Sequence, residues 1–155
     1  MPRRLFAVVA AILLTGAATD NTADLDQSFG SGTIVIESGN GACYRFDVYL
    51  ALTSAQHRRG LMFVRQLPRY TGMLFVYPDA ARRSMWMKNT YIPLDILFIR
   101  ADGTVSSIAA ETEPLSLQSI ASEESVHFVL ELNAGVSKAL GIDRESRIYL
   151  PERAD

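Results

Sequence analysis

Asp95-Ile96-Leu97-Phe98-Ile99-Arg100-Ala101-Asp102-Gly103-Thr104-Val105-Ser106-Ser107-Ile108-Ala109-Ala110 carries the clearest local instruction in this 155-residue chain. Residues 95–100 are mostly apolar and β-favouring, Ala101-Asp102-Gly103 supplies a turn, and 104–110 resume the pattern. Two such runs around an Asp-Gly turn predict an antiparallel β-hairpin.

Working outward, residues 73–77 and 84–90 upstream, and 127–132 and 147–150 downstream, have the same strand composition. A second hairpin is predicted where 33–37 and 44–50 flank Ser38-Gly39-Asn40-Gly41. Only two helices interrupt the pattern. Thr53 and Gln56 have capping-box spacing before a short helix that ends at Gly60, with Arg58 and Arg59 in its last turn, where cations meet free carbonyls. Asn133 is the expected cap of a two-turn helix ending at Gly141. With a polar loop over 111–125, and no repeat or linker, residues 33–155 read as one mainly β (α+β) domain. The expected architecture is a single antiparallel barrel or sandwich with two short helices.

The N-terminus has a different logic. Arg3 and Arg4 precede an apolar run from Leu5 to Leu14, and Gly16-Ala17-Ala18 offers small residues for cleavage. This is the pattern of a signal peptide over 1–18, followed by a polar, mobile leader over 19–32. The apolar run is about half of the ~20 residues that a spanning helix needs, so export to the periplasm or medium is expected, without stable membrane insertion once the signal is removed.

Net charge is −2 for the whole chain, and removal of Arg3 and Arg4 makes it −4, which argues against nucleic acid as a general partner. Charge is unevenly spread. Between Arg58 and Arg100, bases (among them Arg65, Arg69 and Lys88) outnumber Asp79 and Asp95, whereas acids dominate after Ala101. The halves either neutralise each other across the fold or leave a face that attracts anions. Cys43 is the only cysteine, which excludes an internal disulfide, and its neighbours Tyr44 and Phe46 suggest burial. With only His57 and His127 as histidines, no zinc-ligand spacing is present, and no cofactor motif occurs.

The chemistry concentrates in Trp86-Met87-Lys88-Asn89-Thr90-Tyr91-Ile92-Pro93-Leu94-Asp95. As a strand, its alternation puts Trp86, Lys88 and Thr90 on one face and Met85, Met87 and Asn89 on the other. A tryptophan beside an ammonium and a hydroxyl can stack on a ring and bond its substituents. Trp86, Lys88, Asn89, Thr90 and Asp95, with Arg58 from the first helix, are therefore the candidate site for a small polar or anionic ligand. The structural alternative makes Trp86 core and pairs Lys88 with Asp95 across the Pro93 turn. Met62, Met73, Met85 and Met87 could supply thioethers to copper(I), or simply fill a core. Asp95 and Glu131 are the carboxylates that an unrecognised hydrolase would use, should the fold bring them together. A structural protein-interaction domain is the third reading.

The same run, with residues 56–62 (Gln56 to Met62), 72–78 (Gly72 to Pro78), Ala101-Asp102-Gly103 and Val129-Leu130-Glu131-Leu132-Asn133-Ala134-Gly135, resembles the pattern of the prokaryotic family called domain of unknown function 192. The resemblance extends over about 46–148. It implies one mainly β domain, often exported, with no established activity. Some members carry cysteines after the Glu-Pro of the long loop; this chain has Glu113-Pro114-Leu115-Ser116, so the resemblance does not carry a redox or disulfide role over to that loop.

Overall fold

The computed structural model describes residues 22–150. The expected signal peptide lies outside them. In chain order the elements are α1 (Thr22–Ser28), β1 (Gly30–Glu37), β2 (Cys43–Ala51), α2 (Ser54–Arg59), β3 (Thr71–Ala81), β4 (Ser84–Met85), β5 (Leu94–Ile99), β6 (Val105–Ala109), β7 (Ile120–Ala121), β8 (Val126–Asn133), α3 (Val136–Leu140) and β9 (Arg147–Tyr149). The fold is mainly β, as the sequence predicts.

Seven strands form one sheet in the order β6-β5-β8-β3-β2-β1-β9, and β4 pairs with β7 in a small second sheet. The large sheet curls into a half-barrel. Its two end strands approach each other where Thr104 bridges Arg147, Val105 N–H donates to the Ser146 carbonyl, and Ile148 N–H donates to the Gly103 carbonyl. Both predicted hairpins form, β1–β2 with Gly30 opposite Leu50 and Glu37 opposite Cys43, and β5–β6 with Leu97 opposite Ile108. The pair β2–β3 is parallel, because α2 and the loop after it carry the chain back before β3 begins.

Alternation along the strands divides the apolar residues between two faces. The inner face collects side chains such as Ile34, Phe46, Val48, Leu74, Leu97, Leu130 and Ile148, plugged by Val136 and Leu140 of α3. On the outer face, Met73, Phe75, Ile96, Phe98 and Val129 are covered by Leu25, Phe29, Leu61, Val64, Met85 and Met87. Two layers on one sheet explain why β5 is buried at every position from Leu94 to Ile99.

Local chemistry sets the helix ends. The Thr53 hydroxyl accepts from Gln56 N–H at 3.2 Å while Gln56 Oε1 accepts from Thr53 N–H at 3.0 Å, completing the predicted box. Gly60 closes the helix at φ 44°, and a Cβ there would meet Phe75 at 3.2 Å.

Four expectations are corrected. Within the segment read as a mobile leader, residues 22–32 carry α1 and the start of β1, held down by buried Leu25 and Phe29. The strand expected over 84–90 stops at Met85, since Asn89 adopts φ 56° and turns the chain. Cys43 is exposed, because it begins β2 on the side of the hairpin away from Phe46. Asn133 does not cap α3; Gly135 occupies that position, and the Asn133 amide donates instead to the carbonyls of Leu67 at 2.9 Å and Pro68 at 3.1 Å.

Candidate functional site

Asp95 is fully buried on β5. Its Oδ1 accepts from Glu111 N–H at 2.9 Å and Gly135 N–H at 3.1 Å, and its Oδ2 accepts from Ser137 N–H at 2.9 Å. The start of α3 has no side-chain cap of its own, so this carboxylate supplies one from a distant strand. Lys88 is not its partner. The ammonium is exposed and lies 5.0 Å from the centre of the Trp86 ring. The expected Lys88–Asp95 ion pair is therefore absent, because Asp95 is enclosed while Lys88 stays in solvent.

Glu131, at 4 % exposure, is the other buried acid. Its cross-strand neighbours are Met73 and Ile96, its Oε2 has no hydrogen-bond partner, and burial pushes its carboxyl up to about 8. Register decides the hydrolase reading. Asp95 is opposite Leu132 and Glu131 is opposite Ile96, so the two carboxyls leave opposite faces of the sheet and form no dyad.

Trp86 is 47 % exposed, Met87 is buried and Lys88 is exposed, so the predicted alternation holds to that point. It fails at Asn89, which is half-buried with its amide 3.9 Å from the Met62 sulfur, and at Thr90, which is buried with its hydroxyl 3.4 Å from the Lys88 carbonyl. Arg58 is exposed on α2. The methionine sulfurs are separately engaged: Met85 with the Tyr77 hydroxyl at 3.8 Å and Met87 with the Thr112 hydroxyl at 3.2 Å. Among the described residues, no three His, Cys, Asp or Glu side chains are grouped to hold a metal ion.

The concave feature next to this run is a cleft of about 560 Å³ on the far side of Ile92-Pro93. Leu67, Pro68, Ile92, Pro93 and Ala134 give it apolar walls, and Arg65, Gln66 and Asn133 give it polar groups. Its walls are cross-linked by Asn133 to Leu67 and Pro68, and by Ala134 N–H to the Pro93 carbonyl at 3.1 Å. A second depression of about 370 Å³ shares Leu67, Asn133 and Ala134 with it and adds Arg69. No acidic residue lines either. The Arg65 guanidinium stacks on Tyr91, 4.9 Å from the ring centre, and has no carboxylate in ion-pair range among the described residues. With both amide hydrogens of Asn133 directed at the wall, its Oδ1 is left to accept.

Of the sequence candidates, only the segment itself reaches this cleft, through Ile92 and Pro93; Arg58, Trp86, Lys88, Asn89, Thr90 and Asp95 do not line it. Arg65 and Asn133 carried weak signals: an arginine that follows the apolar run Leu61 to Val64, and an asparagine that doubled as a plausible cap.

Fold and cleft together define a small half-barrel domain with a preformed, acid-free groove at one end. The chain belongs to the DUF192 family, described as an uncharacterized ACR, whose pattern it matches over residues 35–150. Among solved structures it is similar to a protein of Sinorhizobium meliloti described as a "putative transcription regulator", with 39 % identity and a TM-score of 0.77, over 79 % of this chain and 95 % of that one. It is also similar to a protein of unknown function from Novosphingobium aromaticivorans, with 33 % identity and a TM-score of 0.74, over 77 % and 84 % of the two chains. No curated protein matches the sequence.

Proposed function

We propose that this is an exported, non-catalytic binding domain whose cleft beside Ile92-Pro93 takes a small anion that also carries an N–H or O–H donor. The observation that supports it is that Arg65 and Asn133 line one acid-free groove, the amide nitrogen of Asn133 being already committed to the Leu67 and Pro68 carbonyls. An anionic group would meet Arg65, and the donor would meet Asn133; a short hydroxy acid has both. The apolar walls would shield these contacts from water, and the cross-links between them keep the reorganisation cost low.

Export rests on the basic start, apolar run and small-residue site at 1–18. Mass spectrometry of the protein from its native host should find a chain starting near Thr19; intact Met1-containing protein in the cytoplasm would refute it. The description of the Sinorhizobium relative raises nucleic acid as an alternative, which a net charge of −2 disfavours. Ligand binding is tested by titrating lactate and propionate against the amide resonances of Gln66, Leu67 and Ala134, in the wild type and in Arg65→Gln.

A further inference from the structure

The cleft does not end at Asn133. The depression of about 370 Å³ beside it shares Leu67, Asn133 and Ala134 with the cleft of about 560 Å³, so the two run together as one groove. Arg65 lines one half and Arg69 the other. Between them in the chain, Leu67 and Pro68 present the carbonyls that accept from the Asn133 amide at 2.9 and 3.1 Å, which fixes the asparagine at the junction of the halves. Four residues of chain span at most about 14 Å, and this bounds the separation of the two arginine Cα atoms. Side chains as long as these, on backbones that close, can meet the two ends of one short molecule.

Both arginines are held by rings rather than by acids. The Arg65 guanidinium lies 4.9 Å from the centre of the Tyr91 ring, and that of Arg69 lies 5.8 Å from the centre of the Tyr70 ring. Neither has a carboxylate in ion-pair range among the described residues. A guanidinium stacked on a ring keeps its in-plane N–H donors for a carboxylate, which it binds as a fork.

The second half of the groove adds no competing charge. Asp95 accepts from Gly135 N–H at 3.1 Å, but it is fully buried and lines neither half. Ala134 N–H is given to the Pro93 carbonyl and Gly135 N–H to Asp95, so attraction for an anion in this half comes from Arg69. Val136 and Ala139 of α3 supply its apolar side.

A cation in each half and a hydrogen-bond acceptor at the junction define a ligand class narrower than a simple hydroxy acid. We infer that the groove takes a hydroxydicarboxylate, with one carboxylate on Arg65, the other on Arg69 and the hydroxyl between them donating to Asn133. This rests on the reading of the cleft as an anion site and adds the second charge. A monocarboxylate leaves Arg69 unused, and a dicarboxylate without the hydroxyl leaves Asn133 unused.

Lactate and malate separate the two readings, because malate is lactate with a carboxylate in place of one methyl hydrogen. Each should be titrated at constant ionic strength against the amide resonances of Leu67, Ala134, Gly135 and Ala139, in the wild type, in Arg69→Gln, and in Arg58→Gln, which removes the same charge outside the groove. The inference predicts that malate binds at least tenfold more tightly than lactate and shifts Gly135 and Ala139, which lactate leaves in place. Arg69→Gln should bring malate to the affinity of lactate without changing lactate, and Arg58→Gln should change neither. Binding of lactate with malate no tighter, a malate preference that survives in Arg69→Gln, or equal losses in Arg69→Gln and Arg58→Gln would overturn the second-charge assignment and leave the anion site at Arg65 standing. Absence of binding by both acids removes that site and this inference with it.

Discussion

Asp95 and Glu131 lie on neighbouring strands one register step apart, yet one faces α3 and the other faces the layer beneath α2 and its loop. The same sheet thus holds an acid that is fully hydrogen-bonded and one that is not. Their behaviour should differ accordingly.

Asp95→Ala removes an acceptor from three backbone N–H groups at once, that of Ser137 buried and those of Glu111 and Gly135 partly so. Leaving a buried donor unsatisfied costs about 1–3 kcal/mol, and the two partly buried donors, which water can reach, add less, so a total loss of about 2–3 kcal/mol is expected in urea denaturation. A loss below about 1 kcal/mol would mean that Asp95 does not organise the start of α3.

For Glu131 the sign follows from its folded value of about 8 against an ordinary 4.5. The folded state holds the proton more tightly, so this contribution is fully present below about pH 4.5 and is lost as pH rises through 8. The slope reaches up to about 1.4 kcal/mol per pH unit within that window. Glu131→Gln cannot titrate and should lack this slope. Parallel stability profiles for wild type and variant between pH 5 and 8 would show that the carboxyl is solvated.

Lys88 and Asp95 should be energetically independent. A double-mutant cycle on Lys88→Ala and Asp95→Asn is expected to be additive within about 0.5 kcal/mol, since the two groups share no partner. A larger coupling would restore the ion pair that the sequence suggested.

Asn89 tests the enforced turn. At φ 56°, Asn89→Gly should keep the melting temperature within a few degrees, while Asn89→Val should cost at least about 1–2 kcal/mol because a β-branched side chain clashes in the left-handed region. Equal effects of the two substitutions would place the cost in the lost amide contact with Met62.

Much of the fold was legible because period-2 apolar runs and Gly-containing turns specify hairpins locally, as at Ser38 to Gly41 and Ala101 to Gly103. The Thr53–Gln56 box was legible for the same reason, since its partners are three residues apart. Non-local partners were not. Nothing near Asp95 in sequence announces Gly135 and Ser137, and the opposite charge at Lys88 offered a nearer but wrong partner. Alternation correctly separated exposed Trp86 and Lys88 from buried Met85 and Met87, and then failed at Asn89, where the turn depends on a backbone contact with Phe63. The cleft was invisible because Arg65, Pro93 and Asn133 meet only through tertiary structure.

The central claim is that the cleft binds a small anion through Arg65 and reads a donor group through Asn133. The most direct measurement is the amide titration with lactate and propionate, which differ at the hydroxyl. The account predicts saturable shifts centred on Gln66, Leu67 and Ala134 for both, tighter binding of lactate, and loss of both in Arg65→Gln. Shifts that persist in Arg65→Gln, or that appear only away from the cleft, would contradict it.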